Sequence, residues 1–104
     1  MEKKTVDVII PVYRPGKEFG ELLRRLEKQE HRPEKILVMN TGRENWNAEW
    51  EKCPILEVHH LEQKDFDHGG TRKAGAALSD ADILVFMTQD ALPADKKLIG
   101  NLIR

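Results

Sequence analysis

Short apolar runs alternate with amphipathic segments along this chain, and that alternation limits the folds open to it. Buried strands are predicted at residues 6–12, 36–39, 55–61 and 83–88. Helices are predicted between and after them, at residues 17–30, 45–50, 71–78 and 93–104. Strands separated by helices favour a parallel sheet with right-handed crossovers, and near-continuous apolar strands fit a sheet that is covered on both faces. The sequence therefore predicts a three-layer α/β domain whose mainly parallel sheet has about four strands in the order 3-2-1-4.

Composition narrows the class of protein. The 104 residues suffice for a single domain over residues 1–104. Charged residues make up 34% of the chain but the net charge is −1, so no bulk field attracts nucleic acid. No stretch approaches the roughly 18 to 20 apolar residues of a membrane span. Cys53 is the one cysteine and cannot form an internal disulfide, so we expect a reducing, cytoplasmic setting and an inert thiol.

The segment His68-Gly69-Gly70-Thr71-Arg72 combines features that suit a phosphate group. Glycines lack side chains, so their backbone amides can approach an anion closely. A helix that begins at Thr71 would direct its free N–H groups and positive dipole end to the same place. Arg72 adds a planar set of donors suited to phosphate. The alternative is a flexible loop followed by an ordinary helix start and a solvated arginine.

Asp90 follows the last predicted strand. In an open α/β sheet, ligands bind at the carboxyl ends of the strands, and hard cations take carboxylate oxygens. Thr88 and Gln89 are neutral, so a metal here would need water, phosphate oxygens or a further protein ligand. That pattern suits Mg²⁺ or Mn²⁺ on a diphosphate better than a closed protein cage. Equally, Asp90 can be a turn former that caps its own backbone.

Other polar residues leave two interpretations open. Asn40 and Thr41 end the second predicted strand, where a side chain could bond a nucleobase or ribose. The same residues suit a turn that needs Asn and Gly for its backbone angles. Asp65, Asp67 and His68 could line a sugar pocket or form a hydrogen-bonded turn.

Two pairs of side chains are predicted to have structural roles rather than to bind a metal ion or a nucleobase. His59 and His60 are adjacent on a predicted strand, so their side chains face opposite sides of the sheet and cannot chelate one ion. Trp46 and Trp50 are four residues apart, on one face of a helix, which favours packing over base stacking.

Nearly the whole chain resembles the family-2 glycosyltransferases of the GT-A fold. Residues 6–13, Val-Asp-Val-Ile-Ile-Pro-Val-Tyr, resemble the opening strand of that family. Residues 68–76, which begin His-Gly-Gly-Thr-Arg, resemble its helix start, and residues 84–91, which end Thr-Gln-Asp-Ala, resemble its strand and DXD-type motif. The residues of the last two motifs are most similar to those of a rhamnosyltransferase-like branch.

The resemblance implies a nucleotide-sugar site. Pro11, Val12 and Tyr13 would lie against the nucleoside, Arg72 would face the diphosphate, and Asp90 matches the acid of the motif that binds the metal. Thr88 departs from the family, since the first acid of the motif is usual there, and Asn40 or Thr41 stands near the usual uracil-binding aspartate. The complete predicted donor site is Pro11, Val12, Tyr13, Asn40, Thr41, Gly69, Gly70, Arg72, Gln89 and Asp90, with the metal on Asp90.

The resemblance also implies an activity: inverting transfer of a sugar, with rhamnose as the candidate, from a dTDP- or UDP-sugar with Mg²⁺ or Mn²⁺. The family places its catalytic base and acceptor-binding half downstream of the metal motif, so we predict no catalytic residue here and no transfer by this chain alone. The alternative is a non-catalytic module that binds nucleoside diphosphates. A receiver-like domain fits poorly, because residues 11–13 lack an acidic pair. An open edge along residues 83–88 further predicts self-association into a homo-oligomer.

Overall fold

A parallel sheet forms the centre of the molecule, as the sequence predicts. The computed structural model describes residues 4–42, 44, 46–61, 68–89 and 97–102, without the side chains of residues 68–72, 101 and 102. Within those residues the sheet has four strands in the order β3-β2-β1-β4, and all three pairings are parallel. The elements are β1 (Val6–Tyr13), α1 (Glu18–Glu27), β2 (Lys35–Thr41), a 3₁₀ helix (Ala48–Lys52), β3 (Leu56–Leu61), α2 (His68–Ala77), β4 (Ile83–Phe86) and α3 (Leu98–Leu102).

Helix α1 covers one face of the sheet. Its apolar residues recur at helical spacing, so they form a single stripe, and all four are buried: Phe19, Leu22, Leu23 and Leu26. They pack on alternate residues of β1 and β2, and Ile99 of α3 joins the same cluster. Full burial of a side chain of this size contributes roughly 1.5 to 3 kcal/mol. This face therefore holds most of the apolar core that the described residues form.

Helix α2 covers the opposite face, and a glycine sets how closely it approaches. A Cβ atom added at Gly75 would lie 2.7 Å from Ile9 Cγ2 and 3.5 Å from Met39 Cγ. Only a residue without a side chain fits at that distance. With α1 and α3 on one side and α2 on the other, the domain has the three predicted layers.

Several predicted boundaries were wrong by a few residues. Helix α2 begins at His68 rather than Thr71, so Gly69 and Gly70 lie in its first turn and not in a preceding loop. Helix α1 ends at Glu27 instead of residue 30, and β4 ends at Phe86 instead of residue 88. The predicted helix at 45–50 is a 3₁₀ helix that starts at Ala48, because Asn47 Oδ1 accepts the Glu49 N–H at 2.9 Å and caps it there.

The predicted last helix is described only over Leu98–Leu102. Residues 93–96, 103 and 104 of that range, and the residues Asp65, Asp67 and Asp90, lie outside the described residues. None of the helices in the described part of the chain is long and apolar enough to cross a membrane.

Candidate functional site

The carboxyl ends of the strands and the start of α2 meet at one edge of the sheet. Tyr13, Thr41 and Leu61 are register partners at that edge. At the opposite edge, Ser79 Oγ donates to Asp7 Oδ2 at 2.5 Å, just after α2 ends. Since the middle of α2 lies against the middle of the sheet, the helix runs from the carboxyl edge to the amino edge, and its first turn lies beside the strand ends.

The exit of β1 is tied to the exit of β4 by a side chain. Ile9 accepts the Met87 N–H at 3.0 Å, so every second residue of β1 directs its backbone polar groups towards β4. Pro11 is tolerated in this central strand because its missing N–H would face the side where the β4 ladder has ended. Two residues further, the Tyr13 N–H donates to Gln89 Oε1 at 2.7 Å. The residue directly before Asp90 is therefore bonded to the end of β1.

Asn40 and Thr41 face opposite sides of the sheet. Both belong to β2, so the turn predicted at residues 40–42 is confined to Gly42, whose φ of 83° suits glycine. Asn40 Nδ2 lies 2.9 Å from the Gly42 carbonyl oxygen and 3.0 Å from His60 Nδ1 on the α1 side. Thr41 is on the α2 side with 1% of its surface exposed, and its Oγ1 has no hydrogen-bond partner among the described residues.

The first turn of α2 supplies free backbone amides at the edge. The first N–H groups of a helix have no intrahelical partner, and here they include those of residues 68–70. The free amides therefore include those of Gly69 and Gly70. In a helix that began at Thr71, the free amides would belong to residues further along the chain. Arg72 precedes Gly75 by three residues, about 4.5 Å along the helix axis. Its backbone therefore lies nearly one helical turn closer to the carboxyl edge than Gly75.

The tryptophan pair and the histidine pair singled out in the sequence have packing or hydrogen-bond partners within the protein. Trp46 and Trp50 pack edge to face with ring centroids 4.9 Å apart, and Trp50 lies 5.1 Å from Phe19 of α1, so the packing interpretation is confirmed. His59 Nε2 lies 2.8 Å from Glu57 Oε2, whereas His60 contacts Asn40 on the other face. The described residues include no group of three His, Cys, Asp or Glu that could hold a metal ion.

Cys53 is half-buried, and its thiol lies 3.7 Å from Glu27 Oε2. Burial raises the pKa of the Cys53 thiol above its usual range, and the negative charge of Glu27 adds to the shift. The thiolate is therefore disfavoured, which agrees with the prediction of an inert cysteine.

The sequence did not predict the bond between Asn40 and His60. Asn40 is the last but one residue of β2 and His60 the last but one of β3, and the register makes them partners. One sequence signal could have predicted this pair: Asn40 and His60 lie equally far from the ends of two strands that are adjacent and parallel in the predicted sheet. A cavity of about 470 Å³ lies beside this pair, lined by Trp46, Glu51, Val58 and His60. None of the predicted donor-site residues whose side chains the structure describes lines it.

Comparison with known proteins identifies the family. The model of Glycosyl transferase family 2 matches residues 7–104. This chain belongs to glycosyltransferase family 2. Among curated relatives, the O-antigen chain rhamnosyltransferase RfbN of Salmonella typhimurium strain LT2 is 33% identical over 105 residues, which cover 94% of this chain and 32% of RfbN. The O-antigen chain rhamnosyltransferase WbaN of Salmonella anatum is 26% identical over 98 residues, covering 92% of this chain and 31% of WbaN.

Solved structures agree on the fold of this family-2 chain. The crystal structure of residues 1–349 of S. aureus TarS superposes with a TM-score of 0.78 at 21% identity, covering 95% of this chain and 31% of that one. The same protein in complex with UDP-GlcNAc gives a TM-score of 0.74 at 20% identity, covering 95% and 30%. The likeness confirms the predicted GT-A architecture. The chain spans about a third of the length of these relatives.

Proposed function

We propose that residues 1–104 form the donor-binding portion of a glycosyltransferase that uses a nucleoside-diphosphate sugar. The observation that carries the proposal is the convergence at one edge of three elements: the end of β1 at Tyr13, the end of β2 at Thr41 and the first turn of α2. Gln89 holds the exit of β4 at the same edge through its bond to Tyr13. Ligands of open α/β sheets bind at such an edge.

The nucleoside end of the site is assigned to β1 and β2. Pro11, Val12 and Tyr13 supply the surface for the nucleoside, as the resemblance implies. Thr41 supplies a hydroxyl for the base or ribose, because a buried hydroxyl without a partner is costly and a ligand atom can satisfy it. The Asn40 side chain lies on the other face of the sheet, where its amide bonds Gly42 and His60. From there Asn40 supports the backbone of Thr41.

The diphosphate is assigned to the start of α2. Free amides of the first turn, including Gly69 and Gly70, and the positive end of the helix dipole favour an anion there. The Arg72 side chain adds a charge that matches the phosphate geometry. In the inverting transfer that the family resemblance implies, these groups stabilise the negative charge that develops on the departing nucleoside diphosphate.

A divalent cation fits the donor set only when the diphosphate is bound with it. Gln89 Oε1 is already used by Tyr13, and Thr88 is neutral, so Asp90 is the one carboxylate that the sequence places at this exit. Mg²⁺ and Mn²⁺ are often held by one carboxylate together with phosphate oxygens and water. Such an ion neutralises charge on the leaving group. The proposed metal ligand is Asp90.

The sugar and base are proposed from the relatives. RfbN and WbaN are rhamnosyltransferases by name, and TarS structures contain UDP-GlcNAc or UDP. We therefore assign a dTDP- or UDP-sugar as the donor and rhamnose as the sugar. The setting proposed for the reaction is cytoplasmic.

Titration of the 104-residue chain with UDP, dTDP, CDP and GDP tests the proposal. Thermal unfolding is followed with Mn²⁺ and with a chelator, and UDP or dTDP is expected to raise the midpoint more in Mn²⁺. Arg72→Ala is expected to weaken binding by roughly 1 to 3 kcal/mol, the scale of a charge-assisted contact. Asp90→Ala should remove the metal dependence, whereas Arg24→Ala, on the exposed face of α1, should change neither. Equal affinity in Mn²⁺ and in chelator would refute the metal role.

A homo-oligomer formed through β4 is the proposed assembly. β4 pairs with β1 on one side and with no other described strand on its second side. Phe86, the last residue of β4, is a large apolar side chain with 46% of its surface exposed. An unpaired strand edge with apolar surface beside it is a template for a second chain. Light scattering is expected to show a dimer or larger species that Phe86→Lys disrupts; a monomer at high concentration would contradict this.

A further inference from the structure

Side-chain hydrogen bonds join the ends of β2 and β3 beyond the regular ladder. Asn40 Nδ2 contacts both the Gly42 carbonyl oxygen, at 2.9 Å, and His60 Nδ1, at 3.0 Å. The Gly42 N–H donates to the Leu61 carbonyl oxygen at 3.0 Å. We call Asn40, Gly42 and His60 the strand-end clip.

The chemistry of the clip determines the direction of each bond. A carbonyl oxygen can only accept, so the Asn40 atom that faces Gly42 must be the amide nitrogen. The second hydrogen of that nitrogen goes to His60 Nδ1, which must therefore accept, and the imidazole is neutral with its proton on Nε2. Both Asn40 donors are thus used, while Asn40 Oδ1 is buried without a partner among the described residues.

An aromatic stack holds the His60 ring in place. The Trp46 ring meets His60 edge to face at 5.5 Å, and Trp46 packs on Trp50 at 4.9 Å. Trp50 in turn packs on Phe19, which is 2% exposed in the core. The position of Nδ1 is therefore set by core packing and not by a mobile surface side chain.

The clip fixes the backbone on both sides of Thr41. Gly42 has a φ of 83°, and its carbonyl is held by the Asn40 amide. Thr41 lies between these two residues, on the opposite face of the sheet, with its buried hydroxyl towards the α2 side. A change at His60 would therefore reach Thr41 through two side-chain hydrogen bonds, His60 to Asn40 and Asn40 to Gly42, and the turn at Gly42.

We propose that His60 is a positioning residue of the donor site: its Nδ1 acceptor holds the Asn40 amide, which holds the Gly42 turn and so orients Thr41. His60 itself does not touch the ligand. The inference rests on the proposed function, because the ligand that Thr41 receives is the donor nucleotide. It adds a residue of β3, on the face of the sheet opposite α2, to the machinery of that site.

Two substitutions separate the acceptor from the ring. His60→Phe keeps an aromatic ring beneath Trp46 but has no acceptor, whereas His60→Asn loses the ring and can place Oδ1 where Nδ1 accepts. The adjacent His59, bonded to Glu57 on the other face, provides the matched control His59→Leu. Affinity for UDP and for dTDP in Mn²⁺ is measured by titration calorimetry on the 104-residue chain, and hydrogen exchange of the Gly42 amide is followed without ligand.

His60→Phe is expected to weaken binding about three- to tenfold, the scale of one neutral hydrogen bond. It should also speed Gly42 amide exchange. His60→Asn should bind within about twofold of wild type, with Gly42 exchange unchanged, because the acceptor is restored. His59→Leu should alter neither measurement.

The opposite pattern would overturn the proposal. Wild-type affinity in His60→Phe together with weak binding in His60→Asn would mean that the ring matters and the acceptor does not. If His60→Phe does not fold, as judged by circular dichroism, tenfold weaker binding by a folded His60→Asn decides against the acceptor role. A wild-type chain that binds no nucleoside diphosphate would instead refute the proposed function itself, and the positioning role with it.

Discussion

Replacing Gly75 by alanine tests how α2 is seated on the sheet. The new Cβ would lie 2.7 Å from Ile9 Cγ2, about 1 Å inside the usual separation of carbon atoms. Ile9 is fully buried and β-branched, and Met39 is 2% exposed, so neither can move aside freely. Overpacking of this kind costs typically about 1 to 3 kcal/mol. Alanine recovers about 0.5 to 1 kcal/mol of helix preference, so the expected net loss is up to about 2.5 kcal/mol.

Gly100 offers a matched control for this substitution. It also lies in a helix, α3, but an added Cβ there would meet no described atom within 4 Å. Gly100→Ala should therefore keep the gain in helix preference without the clash. Urea or thermal unfolding followed by circular dichroism measures both variants, and a loss of 1 kcal/mol corresponds to about 4 to 8 °C in a domain of this size. If both variants shift stability by the same amount and in the same direction, the seating argument is refuted.

Two further expectations concern the amino edge of the sheet and the thiol. Asp7 is 1% exposed and accepts hydrogen bonds from the Ser79 hydroxyl at 2.5 Å and the Lys35 N–H at 3.1 Å, so Ser79→Ala should cost roughly 1 to 3 kcal/mol of unfolding free energy, measured in urea. No loss would mean that another group replaces the hydroxyl. The raised pKa of Cys53 lowers its thiolate fraction at any pH below that pKa, so alkylation by iodoacetamide at pH 8 should be slower than for a free thiol and should accelerate on unfolding in urea. Equal rates in the folded and unfolded chain would contradict this.

The strand-end clip shows why only one of two adjacent polar residues is proposed to contact the ligand. Asn40 and Thr41 are adjacent, yet a strand directs successive side chains to opposite faces. Asn40 therefore bonds His60 on the side covered by α1, whereas Thr41 faces the side covered by α2. The alternatives of turn former and ligand contact apply to different residues: Asn40 supports the turn, and Thr41 is the contact candidate.

The amino-acid sequence by itself determined the class of the domain, its strands and their order. Hydrophobic periodicity is a local property, and parallel strands with helical crossovers leave few arrangements open. Pro11 and Tyr13, Gly69 and Gly70, and Gln89 could be assigned to a common edge for the same reason. Family membership, too, was apparent from short motifs.

Only the tertiary structure determined the contacts and the relative positions of those residues. Packing sets the start of α2 at His68. The bond between Asn40 and His60 and the bond from Tyr13 to Gln89 each join segments that are distant in sequence. Gly75 illustrates the cause: its role depends on Ile9 and Met39, which approach it only in the folded sheet. Local propensity carries no information on such register and contact distances, so the positions of the site residues follow from folding rather than from their order along the chain.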